Sequence, residues 1–156
     1  MQRLFLTFFY TGLSPKAPGT VGSLLALVCG VLIVRYISLE TLFLGAVLLT
    51  LAGIKEINSY EANGGEHDDK SIVIDEVVGM WLALVLSSTS WIQIGLSFFF
   101  FRLFDIWKPS LIGKIDQNVK GGWGVIGDDM LAGLVAGICS AATFQFFGYV
   151  QNTLLN

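Results

Sequence analysis

The chain has 156 residues, of which 54% are hydrophobic and only 13% are charged, and its mean hydropathy is +0.71. This composition is too apolar for an ordinary soluble domain of such length, and it favours a membrane protein. The formal net charge of -3 argues against a nucleic-acid-binding protein, because binding to the phosphate backbone depends on clustered Lys and Arg.

Five apolar segments follow one another along the chain, at residues 21–39, 41–54, 77–87, 91–107 and 130–150. Each is predicted to be a helix, because backbone polar groups at membrane depth must be satisfied within the segment. Only the first and last approach the roughly 20 residues that cross a bilayer core. The middle three could extend into flanking turns, tilt, or lie partly within the protein. We therefore predict an all-α membrane protein, a compact bundle of about five helices.

The sequence contains no linker, repeat or low-complexity tract, so a single domain over residues 1–156 is expected. The first residues have too short an apolar run for a cleaved signal, and none is expected. Small residues four apart in the last segment predict close helix packing there. They are Ala132, Gly133, Ala136, Gly137 and Ser140.

Charge distribution predicts how the chain is oriented in the membrane. If all five segments cross, six lysines fall on one side, and Arg35 is the exception. These are Lys16, Lys55, Lys70, Lys108, Lys114 and Lys120. An excess of Lys marks the cytoplasmic side. That side also receives the two polar loops, residues 55–76 and 108–129, so we expect the catalytic loops at the cytoplasmic face.

Acidic residues are concentrated where the apolar segments begin or end. Asp75 and Glu76 open the third segment, and Asp128 and Asp129 open the fifth. Near the end of the fourth, Arg102, Asp105 and Lys108 follow one another at steps of three, with Asp116 in the next loop. Charged side chains beside apolar helices are costly, which makes them candidates for function. Converging carboxylates suit Mg²⁺, and Arg or Lys beside them would bind phosphate oxygens.

Structural roles are the alternative for each group taken alone. Acids stabilise helix N-termini, which could explain Asp75 with Glu76 and Asp128 with Asp129. An ion pair within one helix could explain Arg102 with Asp105. These roles do not explain why all three groups lie on one side of a chain with so little charge elsewhere.

Two loops contribute further candidates. The stretch GLSPKAPGTVGS contains Thr20 and Ser23, which could cap the first long helix, and its free N–H groups could hold an anion. GGWG, residues 121–124, is expected to be a flexible turn first and a phosphate contact second. His67 is the only histidine, and a solvated loop residue is its alternative role.

Four ordered motifs carry a resemblance to a known family: GLSPKAPGTVGS, SIVIDEVVGMW, FRLFDIWKP and GGWGVIGDDMLAG. Together they resemble the phosphatidylglycerophosphatase A family over nearly the whole chain. The resemblance implies a helical fold and Mg²⁺-dependent hydrolysis of the terminal phosphomonoester of phosphatidylglycerophosphate, giving phosphatidylglycerol. It also implies a multi-pass protein of the bacterial inner membrane, whose partners are that lipid and the bilayer.

Family motifs fall on individual residues of this chain. The implied catalytic residues are Asp75, Glu76, Asp105 and Asp129. From the chemistry of their carboxylates, we expect some of Asp75, Glu76, Asp105, Asp128 and Asp129 to hold Mg²⁺. Arg102 and Lys108 are expected to bind phosphate oxygens because of their charge, and Thr20 and His67 are further candidates for phosphate binding. His67 and Asp68 match a His-Asp element of the family.

Two other functions remain open at this stage. An alcohol phosphotransferase acting on a CDP-lipid would also gather acids around a divalent ion, but it expects an Asp-Gly pair that this sequence lacks. A non-enzymatic ion or proton carrier would use acids as a relay, preferably near the membrane midplane. Homo-oligomer formation is also left open.

Overall fold

A computed structural model describes residues 1–67, 69–87 and 90–155, and in this part of the chain the regular structure is helical. The α-helices are α1 (Gln2–Leu6), α2 (Pro18–Tyr36), α3 (Leu39–Ala62), α4 (Ile74–Val85), α5 (Trp91–Trp107), α6 (Leu111–Asn118) and α7 (Gly122–Leu155). A 3-10 turn covers Thr11–Leu13. The all-α prediction is confirmed, and the five predicted segments lie largely within α2, α3, α4, α5 and α7.

Helix α4 lies at the centre of the bundle. It packs against α2, α3, α5 and α7, and most of its residues are buried. The indole N–H of Trp81 donates to the carbonyl of Ala26 on α2, at 3.0 Å. Twelve residues make a helix of about 18 Å, which is shorter than the roughly 30 Å of a hydrocarbon core. The third apolar segment therefore lies within the protein, one of the arrangements considered from its length.

Among the described residues, two helices are long and apolar enough to cross a bilayer, judged by length and composition alone: Pro18–Tyr36 and Gly122–Leu154. A buried core helix can pass the same test, but only 22% and 28% of these two apolar windows are buried. Leu24, Val28 and Leu32, for example, are exposed at steps of four along α2. Exposed apolar faces of this kind are what lipid contact requires.

The small residues predicted to promote helix packing do so between α7 and α4. Ala132, Ala136 and Ser140 are fully buried. A Cβ added at Gly133 would lie 2.1 Å from the carbonyl oxygen of Gly79 on α4. The backbones of α4 and α7 therefore touch, which fixes the start of α4 relative to the first turns of α7.

The start of α7 differs from the prediction. The stretch 121–124 was expected to be a turn, but only Gly121, with φ of 71°, has turn geometry, and the helix begins at Gly122. The N–H of Gly122 donates to Asn58 Oδ1 at 2.7 Å, and a Cβ at Gly122 would lie 2.5 Å from the carbonyl oxygen of Ile54. This contact with α3 lets the helix start earlier than the sequence suggested.

Candidate active site

The predicted acids come from three helices that meet at one end of the bundle. Asp75 and Glu76 lie in the first turn of α4, and Arg102 and Asp105 lie near the end of α5. Asp129 lies in the early turns of α7. Since α4 packs against both α5 and α7, residues far apart in the sequence are brought together.

Arg102 connects three helices at this end. Its guanidinium forms an ion pair with Asp105 on the same helix and lies 3.4 Å from Glu76 Oε1 on α4. It also donates to Ser23 Oγ on α2 at 3.3 Å. The ion pair within α5 expected as a structural alternative is therefore present, but it is one part of a network that spans three helices.

The start of α2 lies against this network through small residues. A Cβ at Gly19 would lie 1.9 Å from Glu76 Oε1, so only glycine leaves that space to the carboxylate. The expected cap by Thr20 or Ser23 is wrong, because α2 begins at Pro18 and has no side-chain cap. Ser23 instead donates to the carbonyl of Gly19 at 2.8 Å. Thr20 is half-buried next to Gly19, and phosphate binding by Thr20 stays a prediction.

Asp128 and Asp129 are each only 3% exposed. Capping does not explain them, since α7 begins at Gly122 and its orphan N–H groups end with the first turn. The carboxylate of Asp129 interacts electrostatically with the other four acids of the predicted metal set. These are Asp75, Glu76, Asp105 and Asp128. The five predicted ligands thus form one cluster of charge, which we call the acid cluster.

Lys108 lies at the edge of the acid cluster, at the end of α5. Its ammonium donates to Asp116 on α6 and to Asp128 Oδ2 at 2.6 Å. Burial lowers the pKa of Lys108, but the hydrogen bonds to the two carboxylates outweigh it and hold the pKa above its ordinary value. Lys108 is therefore a cation that is already engaged by two acids, and its contact with phosphate stays a prediction.

Buried oxygens in the acid cluster test whether a divalent cation suits it. Asp75 Oδ1, Asp128 Oδ1 and Asp129 Oδ2 are buried and have no hydrogen-bond partner in the described part of the chain. Buried polar atoms are nearly always satisfied, and a hard cation with oxygen ligands would satisfy these. The described residues hold no preformed set of three or more ligand side chains. The donor chemistry of these oxygens therefore fits Mg²⁺.

His67 lies apart from the described contacts of the acid cluster. Its Nδ1 is 2.6 Å from Glu61 Oε1 at the end of α3, and its side chain is 48% exposed. Phosphate binding by His67 stays a prediction. Asp68, the other half of the expected His-Asp element, lies outside the described residues.

The loop before α4 is held by three hydrogen bonds, here called the tether, that the sequence did not predict. The Tyr60 hydroxyl donates to Asp69 Oδ2 at 2.6 Å, and the N–H of Ser71 donates to Asp69 Oδ1 at 2.8 Å. The N–H of Val73 donates to the carbonyl of Leu6 at 2.9 Å. The bond from Ser71 to Asp69 is an Asx turn, which the order Asp-x-Ser could have indicated. This tether positions the chain just before Asp75.

The sequence profile described as Phosphatidylglycerophosphatase A matches residues 4–144, which is most of the chain. The chain belongs to the phosphatidylglycerophosphatase A family. The four motifs that suggested this family all lie within the matched region, so the resemblance found in the sequence is confirmed.

Individual relatives cover most of the chain. A protein named phosphatidylglycerophosphatase A from Escherichia coli is 37% identical over 90% of this chain and 80% of its own length. The protein of the same name from Haemophilus influenzae is 37% identical over 82% and 79%. A Bacteroides thetaiotaomicron protein, provisionally named a phosphatidylinositol-3-phosphatase, is 39% identical over 91% and 92%. No solved structure matches.

Membership of this family makes the protein a phosphatase. Neither the phosphotransferase nor the ion carrier considered from the sequence accounts for the family match. The acid cluster is also at the end of the bundle, where a relay through the membrane midplane would not place it.

The tether before α4 gives a prediction about stability and pH. The hydrogen bond from Tyr60 holds the pKa of Asp69 below its ordinary value. Because the pKa of Asp69 is lower in the folded chain than in the unfolded chain, this carboxylate stabilises the fold at pH values above its unfolded pKa of about 3.9. That stability is lost as the pH falls through the folded-state pKa of Asp69. We expect Tyr60→Phe to lower the free energy of unfolding by about 1 kcal/mol at pH 7. The difference from wild type should vanish in acid.

Urea unfolding in detergent between pH 3 and pH 7 measures this difference. Tyr36→Phe is the matched control, because Tyr36 is exposed at the far end of α2. An equal loss of stability by Tyr60→Phe at every pH would contradict the assigned role of Asp69.

Proposed function

We propose that this protein hydrolyses the terminal phosphomonoester of phosphatidylglycerophosphate, releasing phosphatidylglycerol and inorganic phosphate. Two relatives that are 37% identical carry the name phosphatidylglycerophosphatase A. The observation that carries the proposal is the acid cluster beside Arg102, which brings carboxylates and a guanidinium to one end of a helical bundle. Such groups suit a phosphomonoester, whose charge needs both a cation and hydrogen-bond donors.

Mg²⁺ is the proposed cofactor. Asp75, Glu76, Asp105, Asp128 and Asp129 would hold it. Bound there, the ion would offset phosphate charge and lower the pKa of a coordinated water. The buried oxygens without hydrogen-bond partners on three of these acids support this assignment.

The chain's own residues have distinct proposed roles in the reaction. Arg102 would bind and orient the phosphate, and its Nε is a buried donor with no partner among the described residues. In one route a carboxylate takes a proton from the attacking water as the water oxygen bonds to phosphorus. The bond from phosphorus to the glycerol oxygen then breaks, and the leaving oxygen takes up that proton from the carboxyl group. In the other route a carboxylate of Asp75, Asp105 or Asp129 attacks phosphorus first and displaces the glycerol oxygen, which takes up a proton from water. Water then cleaves the resulting aspartyl-phosphate to inorganic phosphate and the free carboxylate.

The proposed location is the bacterial inner membrane, with the site facing the cytoplasm. The mostly exposed apolar windows of α2 and α7 support lipid contact. The lysines predicted to lie together support the orientation, because α5 ends next to Lys108, the loop after α3 holds Lys70, and α6, which follows α5, holds Lys114. The helices are proposed to cross more than once.

A second candidate substrate follows from one comparison. The relative provisionally named a phosphatidylinositol-3-phosphatase is 39% identical to this chain, slightly more than the two phosphatidylglycerophosphatases. Phosphatidylinositol 3-phosphate is also a phospholipid with a terminal phosphomonoester, so the acid cluster suits both lipids. The headgroup alone distinguishes the two candidates.

Phosphate release from the two lipids tests the proposal. We expect the purified protein to hydrolyse phosphatidylglycerophosphate at least ten times faster than phosphatidylinositol 3-phosphate, a difference of about 1.4 kcal/mol in activation free energy. Chelation of divalent ions should abolish the activity, and added Mg²⁺ should restore it. Preference for the inositol lipid would replace the proposed substrate, and full activity after chelation would remove the proposed cofactor. A protein that releases phosphate from neither lipid would overturn the proposal.

A further inference from the structure

An apolar groove of about 470 Å³ runs along the outer face of α5. Its lining residues are Phe98, Phe99, Arg102, Leu103, Ile106 and Trp107. Five of the six are large and apolar, and they recur at steps of three and four, which places them on one face of the helix. Leu103, Ile106 and Trp107 are exposed along the groove. The groove is therefore open to the surroundings of the bundle.

The groove runs from the acid cluster towards the other end of α5. Its lining extends from Phe98 to Trp107, a stretch of helix about 13 Å long. Trp107 is at the end of the helix beside the polar loops, the position that Trp favours at a membrane interface. Phe98 and Phe99 are two turns deeper. One end of the groove therefore meets the polar face, and the other reaches the apolar part of the bundle.

Arg102 belongs both to the groove and to the candidate active site. Its guanidinium pairs with Asp105 and with Glu76 Oε1, while its side chain lines the groove. Its Nε is buried and has no hydrogen-bond partner in the described part of the chain. A ligand with an apolar chain and an anionic headgroup would match these surfaces, because the apolar lining includes Arg102, whose guanidinium reaches the acid cluster.

We propose that this groove holds an acyl chain of the phospholipid substrate while Arg102 contacts its phosphate-bearing headgroup. The inference rests on the proposed function, since it assumes that the substrate is a phospholipid monoester. It applies to both candidate lipids, because they share the acyl chains. The groove thereby determines that the substrate is a membrane lipid, and the acid cluster determines which bond is cleaved.

Filling the groove tests the proposal by its effect on KM. We expect Leu103→Trp to raise KM for long-chain phosphatidylglycerophosphate about tenfold, with kcat within about twofold of wild type. A contact that stabilises the bound substrate and the transition state equally affects KM but not kcat when it is lost. With a water-soluble analogue that carries two-carbon acyl chains, the variant should match wild type. Leu48→Trp on α3 is the control, because Leu48 is 66% exposed and lies outside the groove. If Leu103→Trp raised KM equally for both substrates, or for neither, the proposal would be overturned.

A binding measurement separates this inference from the proposed function. Phosphatidylglycerophosphate with a photoreactive group in one acyl chain is crosslinked to the protein in detergent, and the modified peptides are mapped. Crosslinks concentrated on residues 98–107 and reduced by Leu103→Trp support the groove even if no phosphate is released. Crosslinks spread evenly over α2, α5 and α7 would overturn it. A change in oligomeric mass caused by Leu103→Trp, with unchanged crosslinking, would instead identify the groove as a contact between copies of the chain.

Discussion

Replacing Asp129 with Asn is expected to lower kcat about a thousandfold, within the range lost when a general base or a comparable catalytic group is removed. Asp129 is 3% exposed, and its carboxylate interacts with the other four members of the acid cluster. Asn has nearly the same shape but lacks the charge that would hold a divalent ion. Asp75→Asn and Asp105→Asn should cause losses of several orders of magnitude for the same reason.

Stability should change in the opposite direction to activity. Without a metal ion, the negative charges of the acid cluster repel one another in a poorly solvated site. Removing one of them in Asp129→Asn should leave the unfolding temperature of the metal-free protein equal to or above that of wild type. Mg²⁺ should raise the unfolding temperature of wild type, because a ligand that binds only the folded state stabilises it. The variant should show a smaller rise.

Phosphate release and thermal unfolding, each with and without Mg²⁺, measure both effects. Glu40→Gln is the matched control, since Glu40 is an exposed acid in the first turn of α3, away from the acid cluster. The control should retain wild-type activity. Turnover like wild type in all three Asn variants would remove the acid cluster from catalysis, and a collapse in stability would show that Asp129 is mainly structural.

The helices could be predicted because their signal is local. Apolar runs predicted the approximate positions of α2, α3, α4, α5 and α7. The shortness of the run that became α4 left three arrangements open, and a position partly within the protein was one of them. The residues at which the helices begin and end were less well predicted. Nothing in residues 121–124 shows that Asn58, more than sixty positions earlier, will satisfy the first N–H of α7. A stretch rich in glycine consequently looked like a turn.

The members of the site were predicted better than their partners. Acids and a cation near the ends of apolar runs identified the acid cluster and Arg102, because charge is so rare in this sequence. Lys108 was expected to contact phosphate, yet the structure pairs it with Asp116 and Asp128. The bond from Tyr60 to Asp69 was not foreseen at all. Hydrogen bonds between side chains depend on which helix ends meet, and a linear pattern does not contain that information.

The short helix α4 links the fold to the chemistry. Because α4 is buried among four other helices, its first turn can present Asp75 and Glu76 to groups from both α5 and α7. A helix at the edge of the bundle would have only one or two such neighbours. The position of the acid cluster therefore depends on how closely α4 packs against α7, and that contact can be tested directly.

Replacing Gly133 with Ala is expected to separate α4 from α7 and to damage both stability and activity. The new Cβ would lie 2.1 Å from the carbonyl oxygen of Gly79 and 2.9 Å from its Cα, so backbone must move. Overpacking of this kind costs about 1–3 kcal/mol. Asp129 is one turn before Gly133 on the same face of α7. The carbonyl oxygen of Asp129 would lie 2.5 Å from a Cβ at Gly79, so the backbone of Asp129 also packs closely against α4. A displacement of Asp129 by about 1 Å relative to α4 should lower kcat by up to about a hundredfold.

Gly148→Ala provides the control within the same helix. A Cβ at Gly148 would meet nothing within 4 Å, and alanine is favoured over glycine in a helix by up to about 1 kcal/mol. Gly148→Ala should therefore keep full activity and equal or greater stability, while Gly133→Ala loses both. Urea unfolding in detergent and phosphate release would be measured on the two variants side by side. If the two variants behave alike, close contact between α4 and α7 does not position the acid cluster.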